Sequence, residues 1–473
     1  MKITIDNKEV EATEGMTVIE VADSFGIHIP RFCYHPELSK LGSCRMCLVE
    51  IEGMEKLVPS CTKLALDGMV VRTDTDRIKK ARQDVLELLL INHPMDCPVC
   101  DASGECDLQN YYFEYSLKQS RFFESKDKRK KAIKIGPHLI LDSERCVHCE
   151  RCIRFCDETL KEHQLGVYGR GGGSQIDMVP NATLSNPYSM CVVDLCPTGA
   201  LTTRDFRFKK RSWSLGSTPS ICTGCATGCN VFMDHSDNVV YRYRPRINSD
   251  INGGMLCDYG RLSYKTINSH DRVLHPKIMK DGEMYHVTWN EALERLMDLV
   301  GVCESNIYGI LSARSSVEDN VAFKGICEKL LCIENMYLSK DEDDPSFSDD
   351  LLKSGEKNPN LAGCSDLANG KPEEFHKGAG WIILDELTQD ELLSLVVSEP
   401  KFVILISSSV KRGHRFADVV LPKPSHAEQI GTFINKTGRS QVAEKAFDPL
   451  GESMRIVDIG KRLADLLGKE CNW

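Results

Sequence analysis

The chain has 473 residues, of which 41% are hydrophobic and 27% charged, a balance that excludes an intrinsically disordered protein. A formal net charge of −10, from 59 basic and 69 acidic residues, argues against nucleic acid as the main partner. The 22 cysteines are the outstanding excess: 17 lie in residues 1–257 and only five in residues 258–473, so a cysteine-dense front precedes an ordinary globular back.

No apolar run reaches transmembrane length, Val85–Ile91 and Phe402–Ile406 being core-sized, so direct membrane insertion is not expected. The opening MKITIDNKEVEA has no apolar signal block, and a cytoplasmic location is expected. In that compartment metal binding explains the cysteines better than a disulfide framework.

In chain order, Lys2–Asp6 and Lys8–Ala12 read as two alternating strands, and Thr17–Phe25 as a short amphipathic helix stopped by Gly26. Cys33, Cys44, Cys47 and Cys61 follow, the order of a small β-grasp ferredoxin domain, and four thiolates suit a 2Fe-2S cluster. A helix over Arg82–Ile91 ends at Asn92 and Pro94. Beside it His93, Cys97, Cys100 and Cys106 converge as three thiolates and one imidazole, a set that zinc also accepts. Lys126–Lys131 and Arg204–Arg211 are basic runs, read as solvated linkers or as a docking surface for an acidic partner.

Cys146, Cys149, Cys152 and Cys156 have bacterial-ferredoxin spacing, with Cys191 and Cys196-Pro197 downstream. A second cluster's triad would occupy positions held by Asn186, Ser189 and Val192. One 4Fe-4S cluster on Cys146, Cys149, Cys152 and Cys196 is therefore expected. Cys156 and Cys191 read as buried thiols, the alternative being a further, unorthodox cluster. Gly169, Gly171, Gly172 and Gly173 miss the dinucleotide-binding spacing and read as a flexible loop. Beyond the break at Ser214–Ser220 come Cys222, Cys225, Cys229 and Cys257, with Gly224 and Gly228 allowing tight wrapping; 4Fe-4S suits them and zinc is the alternative.

The back half alternates helices and strands: Trp289–Val302, Ile307–Ser312, Val317–Leu331, Trp381–Leu384, Phe402–Ser407 and Met454–Leu467, with an acidic stretch at Asp341–Asp344. This is the pattern of an α/β layer on a parallel sheet. Cys303, Cys327, Cys332 and Cys471 read as small core or incidental residues.

The order and spacing of the four groups resemble the large iron–sulfur (G, or 75-kDa) subunit of respiratory complex I. HPMDCPVCDASGECDLQ (His93–Gln109) is especially similar, and DLCPTGAL (Asp194–Leu201) resembles the segment that supplies the next cluster's fourth ligand. The Cys222 group resembles a module shared with molybdenum and tungsten bis-pterin enzymes. The front modules also resemble parts of iron-only hydrogenases and NAD-linked formate dehydrogenases. By resemblance, His93, Cys97, Cys100 and Cys106 hold a 4Fe-4S cluster. Ser312–Asn320 and Ala417–Gln441 are similar to pieces of bis-pterin oxidoreductases, but the chain between them is far shorter than that family requires. Cys364 reads as a polar-loop residue without the context of a metal-binding cysteine. No molybdopterin is expected.

The resulting expectation is an α+β multidomain chain. A β-grasp 2Fe-2S ferredoxin domain (1–79) is followed by a histidine-ligated 4Fe-4S module (80–120) and a ferredoxin-like 4Fe-4S domain (137–212). A bis-pterin-type 4Fe-4S module (215–271) and a truncated, cofactor-free α/β bis-pterin-oxidoreductase-like domain (272–473) complete it. One 2Fe-2S and three 4Fe-4S clusters are expected. The resemblance implies an electron-transfer subunit of a soluble NAD(H)-linked oxidoreductase complex, with no self-contained catalytic site in this chain. Its partners would be FMN- and NADH-binding diaphorase subunits and a second redox subunit: a hydrogenase, a formate dehydrogenase or an NADP-linked flavoprotein. Flavin-based electron bifurcation fits the same description. The alternatives are a trimmed complex I G-type subunit delivering electrons toward quinone, and a scaffold built on zinc modules.

Overall fold

The computed structural model describes residues 1–115, 119–302, 306–369, 375–410 and 414–470, and it divides into two compact units, Met1–Ser214 and Leu215–Trp473. Cys303 and Cys471 lie outside the described residues.

In the first unit, β1 (Lys2–Ile5) and β2 (Lys8–Glu11) form a hairpin. It turns at Asp6 and Asn7, whose φ angles of 48° and 67° suit the short polar side chains that tolerate left-handed backbone. The helix α1 (Val18–Ser24) starts where the Glu20 carboxylate accepts the Thr17 backbone N–H at 2.7 Å. It buries Val18, Ile19, Val21 and Ala22 against the sheet. With β3 (Leu48–Ile51), β4 (Val58–Pro59) and β5 (Val70–Arg72) the sheet has the order β2-β1-β5-β3-β4, β5 returning parallel to β1.

The next helix, α2 (Asp76–Leu90), begins six residues before the expected Arg82. Its first turns are polar and carry no apolar repeat; only the Thr75 hydroxyl, accepting from Ile78 N at 3.3 Å, marks the start. After α3 (Asp107–Tyr115), the strands β6 (Ile133–Lys134) and β7 (Leu139–Leu141) lead into α4 (Arg151–Arg154), which continues as a wide turn through Phe155–Thr159. The hairpin of β8 (Leu165–Tyr168) and β9 (Gln175–Met178) closes on a single 3-10 turn, Gly171–Gly173, in place of the expected loop. Then α5 (Cys191–Leu195) precedes β10 (Leu201–Thr203), which pairs antiparallel with β7.

The second unit opens with an antiparallel meander, β11 (Gly216–Ile221), β12 (Asn230–Ser236) and β13 (Val239–Pro245), followed by α6 (Asp258–Leu262). The larger part contains β14 (Lys277–Lys280), β15 (Glu283–His286), α7 (Trp289–Val302), β16 (Ile307–Ser312), α8 (Val317–Gly325), β17 (Met336–Ser339) and α9 (Leu361–Cys364). It ends with β18 (Gly380–Leu384), α10 (Gln389–Val397), β19 (Phe402–Ser407), β20 (Val419–Pro422), the hairpin β21 (Gly431–Ile434) and β22 (Ser440–Ala443), and α11 (Ile456–Leu467).

Seven strands run in the order β15-β14-β20-β19-β18-β16-β17, with β20 through β17 parallel. Alternate residues feed opposite faces: Ile382, Leu384, Ile404 and Ile406 enter one core, while Trp381, Ile383, Val403 and Leu405 enter the other. The chain steps outward from β16 to β17 and then returns to β18 on the other side of β16. That reversal opens a crevice at the strands' carboxyl ends. A polar cavity of about 340 Å³ occupies it, lined by Arg314, Asp319, Asp385, Ser409, Lys423 and Ser425 among others.

Cys364 does not sit in a polar loop as expected. It ends α9 fully buried in the first of these cores. The polar residues before it are interior because their amides are consumed: Asn358 exchanges hydrogen bonds with the Asp341 backbone, both at 2.8 Å, and Asn360 holds Ser315 O and Ile434 N. Cys327 is buried in the same core and Cys332 is exposed. Among the described residues no helix is long and apolar enough to cross a membrane, and no disulfide joins any cysteine.

Candidate metal centres

The first cysteine group sits in the loop ahead of β3 and the turn after β4. Cys33, Cys47 and Cys61 are buried, and Cys44 is partly exposed. Their sulfurs make contact as a row, Cys44–Cys33–Cys61–Cys47. With Cys44 donating to Cys33, and Cys61 donating to either Cys33 or Cys47, Cys33 is held well below the ordinary range and Cys47 is lowered to about 7. The two donors are raised in turn. Left-handed backbone at Gly42 and Arg45 (φ 68° and 58°) wraps the loop inward.

In the second group Cys100 and Cys106 are buried and Cys97 partly exposed on a 3-10 turn, Cys97–Val99. Burial raises the Cys106 thiol to about 12, with Cys100 and Cys196 within electrostatic reach. His93 is mostly buried and its Nδ1 has no hydrogen-bond partner among the described residues. Burial lowers its ring to about 4. A neutral imidazole with an orphaned nitrogen is the state a metal ligand requires. The turn after Cys196 closes over this group so tightly that a Cβ on Gly199 would collide with Cys100 Sγ.

The third group surrounds a cavity. Cys146, Cys149, Cys152 and Cys196 line one small cavity with Leu141, Val147, Ile176 and Leu201. Left-handed residues His148 and Glu150 (φ 50° and 56°) curl the chain around it. Burial raises Cys146 to about 12 and Cys149 to about 11. Cys156 and Cys191 are buried, as expected, and neither lines that cavity.

In the second unit, Cys222, Cys225, Cys229 and Cys257 are all buried and interact electrostatically with one another. Backbone N–H groups of Gly224 and Gly260 donate to Cys222 Sγ and Cys257 Sγ at 3.4 and 3.3 Å. A side chain on Gly260 would meet Cys222 Sγ at 2.8 Å, so glycine keeps this cradle open. Across it lies a segment that sequence reasoning missed: Thr227 Oγ1 donates to Leu352 O at 2.6 Å, and Ala226 N donates to Glu356 O at 2.9 Å.

Both basic runs do more than link. Lys126 Nζ caps the last carbonyls of α2, Leu90 and Ile91, at 2.6 and 2.9 Å, and Lys131 pairs with Glu144 at 2.8 Å. Arg211 donates to Pro98 O and to Cys100 O, the latter at 2.8 Å, and Phe208 N donates to Asp101 Oδ1 at 2.7 Å. These cations seek the carbonyls that the helix end and the cysteine turn leave over, so the segment after β10 clasps the second cysteine group.

Three of the four groups share one apolar cluster, in which Cys33, Cys106 and Cys149 pack with Phe32, Met46, Leu86, Leu108 and Tyr111. Arg151 and Arg154 cross between the first and third groups. Neither was singled out in the sequence; the available signal was two arginines three apart on one helix face, inside a cysteine run. Buried thiols, an orphaned imidazole nitrogen and glycine-lined cradles are together what iron–sulfur groups require of a protein.

Family models agree with these positions. Residues 1–76 match a 2Fe-2S iron-sulfur cluster binding domain, 82–121 the NADH-ubiquinone oxidoreductase-G iron-sulfur binding region, and 136–202 the ferredoxin-like domain of NADH-quinone oxidoreductase subunit 3. Residues 216–269 match the molybdopterin oxidoreductase Fe4S4 domain and 375–466 the molybdopterin oxidoreductase model.

Among curated proteins, the G subunit of NADH-quinone oxidoreductase from Rickettsia typhi is 40% identical over 331 residues, 70% of this chain and 49% of that protein. The G 2 subunit of NADH-quinone oxidoreductase from Rhizobium meliloti is 38% identical, covering 72% of this chain and 40% of its own length. The NADH-ubiquinone oxidoreductase 75 kDa subunit of Reclinomonas americana is 39% identical, covering 70% and 48%. The chain thus spans half or less of the length of these relatives. A solved structure of a NAD+-reducing [NiFe]-hydrogenase matches 44% of this chain and 89% of its own, with 29% identity and a TM-score of 0.40. The matches to 2Fe-2S and 4Fe-4S modules fall on the four cysteine groups, and the curated relatives carry them at near 40% identity: the chain belongs to the family of the NADH-quinone oxidoreductase G, or 75 kDa, subunit.

Proposed function

We propose that this chain is the iron–sulfur electron-transfer subunit of an NAD(H)-linked oxidoreductase complex. It would pass single electrons between a flavin-bearing, NADH-binding diaphorase partner and a second redox module, a hydrogenase, a formate dehydrogenase or an NADP-linked flavoprotein. Flavin-based bifurcation and a cytoplasmic location belong to the same proposal. The observation that carries it is the single apolar cluster joining Cys33, Cys106 and Cys149, which gathers three ligand sets inside one water-excluding core.

The proposed ligands are Cys33, Cys44, Cys47 and Cys61 for 2Fe-2S, and His93, Cys97, Cys100 and Cys106 for the first 4Fe-4S. Cys146, Cys149, Cys152 and Cys196 would hold the second, and Cys222, Cys225, Cys229 and Cys257 the third. The domain limits read from the sequence, 1–79, 80–120, 137–212, 215–271 and 272–473, are part of this reading. When bound, such clusters supply one-electron carriers whose potentials follow ligand charge, hydrogen bonds to sulfur and burial. The chain's contribution is to keep the thiols dry, present a neutral His93 and fix the turns at Gly199 and Gly260.

Zinc is the alternative metal, since four thiolates, or three with an imidazole, also suit a single tetrahedral ion. Absence of molybdopterin is proposed because the crevice's cations are already neutralised: Lys423 lies 3.2 and 3.3 Å from Asp319 and Asp385, and Arg314 lies 2.8 Å from Asp341. The pterin's phosphates would have to displace those carboxylates.

Anaerobic iron and sulfide analysis tests the reading. About 14 iron atoms per chain are expected, and a preparation holding mainly zinc defeats it. A second reading, electron delivery toward quinone, is favoured by the NADH-quinone oxidoreductase relatives. Membrane subunits in a native co-purification would select it over a soluble complex.

A further inference from the structure

Arg151 and Arg154 are among the most deeply buried charges of the first unit, 8% and 7% exposed. Arg154 donates through Nη1 to Ser39 O, and through Nη2 to Cys33 O and, at 3.2 Å, to Cys149 O. Arg151 donates to Tyr34 O at 2.7 Å and to Leu195 O at 3.2 Å. Each guanidinium therefore spans the first and third cysteine groups, touching a cysteine carbonyl or the carbonyl next to one.

Carbonyls satisfy N–H groups but leave the charge unanswered. Among the described residues neither arginine forms an ion pair, and the Nε of each is buried without a partner. Two carboxylates come within electrostatic reach. Glu158 accepts Ser39 N at 2.8 Å, and Asp107 is held above its ordinary range by burial despite the pull of Arg151. Two buried cations that no carboxylate pairs directly cost several kcal/mol each. A fold that keeps them at this place expects negative charge there.

We infer that Arg151 and Arg154 are shared counter-ions of the Cys33-group and Cys146-group clusters, positioning residues that bind the two sites together and raise both reduction potentials. This rests on the cluster reading above. A cluster on four thiolates is anionic, and reduction adds one electron and no proton, so a nearby fixed cation favours the reduced form. Burial makes the effect large, because little water screens it.

The test is a potentiometric titration of the full-length, cluster-loaded chain, reduced with dithionite and followed by electron paramagnetic resonance. In Arg154→Met both clusters should show about a tenfold lower reduced-to-oxidised ratio at a given potential, a shift of about 59 mV for a one-electron couple. Signals of the His93 and Cys222 sites should stay where they are. Arg154→Lys, which keeps the charge, should recover most of the shift, and Arg151→Met should repeat the pattern. Unchanged midpoints in an iron-replete Arg154→Met, or an equal shift in Arg154→Lys, overturn the proposal. If Arg154→Met lacks the 2Fe-2S signal, Arg154→Lys decides: recovered iron and signal support a charge requirement, and equal loss assigns the residue to packing alone. An unaltered chain with neither signal would instead defeat the cluster reading itself.

Discussion

The two units differ in how fully they pair their buried cations. In Leu215–Trp473, Lys423 sits between Asp319 and Asp385, and Arg272 meets Glu428 at 2.8 Å with side chains 5% and 0% exposed. In Met1–Ser214, Arg151 and Arg154 meet only carbonyls, and Arg82 meets only the hydroxyl and ring of Tyr115. The second unit balances its interior charge with its own carboxylates. The first does the same at Arg145, which pairs with Asp96 at 2.8 Å and Asp142 at 3.0 Å, but it leaves Arg82, Arg151 and Arg154 without such a partner. Two units of one chain therefore differ in what they need in order to be stable.

The sharpest way to break this comparison is to remove the metal. Under anaerobic chelation, hydrogen exchange should rise throughout β1–β10, because uncompensated buried charge costs several kcal/mol per ion. Strands β16–β20 should keep their protection. Equal loss in both units would show that the second depends on metal as much as the first.

The converse experiment targets the closed pairs. Glu428→Gln leaves Arg272 buried against an uncharged amide and should destabilise the second unit by about 3–5 kcal/mol, read by denaturant unfolding. Iron bound by the first three cysteine groups should not change. Destabilisation of the first unit to the same degree would erase the distinction.

A slightly smaller effect follows from His426, partly buried beside Lys423 and Arg272 with its Nε2 3.0 Å from Tyr243 Oη. Burial lowers its ring from 6.5 to about 4, and the two cations reinforce that. Between those values only the unfolded chain takes the proton. Stability is therefore full above about pH 6.5 and is lost as pH falls toward 4, by about 3 kcal/mol. His426→Gln should flatten that window in the second unit's unfolding curve; an unchanged pH slope would mean the ring titrates normally.

What was legible in the sequence was local. The cysteine spacings, the Thr17–Glu20 start of α1 and the alternating apolar strands of the back half each depend on neighbours a few residues away. What was not legible depends on distant partners. Arg154 is interior because of Cys33, 121 residues earlier, and Asn360 because of Ser315 and Ile434, 45 and 74 residues away. Read alone, arginines and asparagines belong at the surface. The start of α2 was lost for a milder reason, since its only signal is the single hydroxyl of Thr75.

The smallest expected effect concerns the two cysteines left over in the first unit, and it sharpens what counts as a ligand there. Burial raises Cys156 to about 12, as it does Cys146, so ionisation alone does not separate them. Their surroundings do. Cys146 lines the cavity with other thiols, whereas Cys156, though in electrostatic reach of Cys152, lies outside it with Asp157 and Glu162 as charged neighbours, which repel an anionic cluster. The place of a second triad is also filled: Asn186 Nδ2 donates to Glu162 Oε1 at 2.6 Å, and Val192 is fully buried. Cys156→Ser and Cys191→Ala should therefore leave iron content and resonance signals unchanged, with a stability loss of about 1 kcal/mol each. Loss of about four irons in either variant would mean that a further cluster helps balance the arginines, and that the unit's charge is shared among more centres than three.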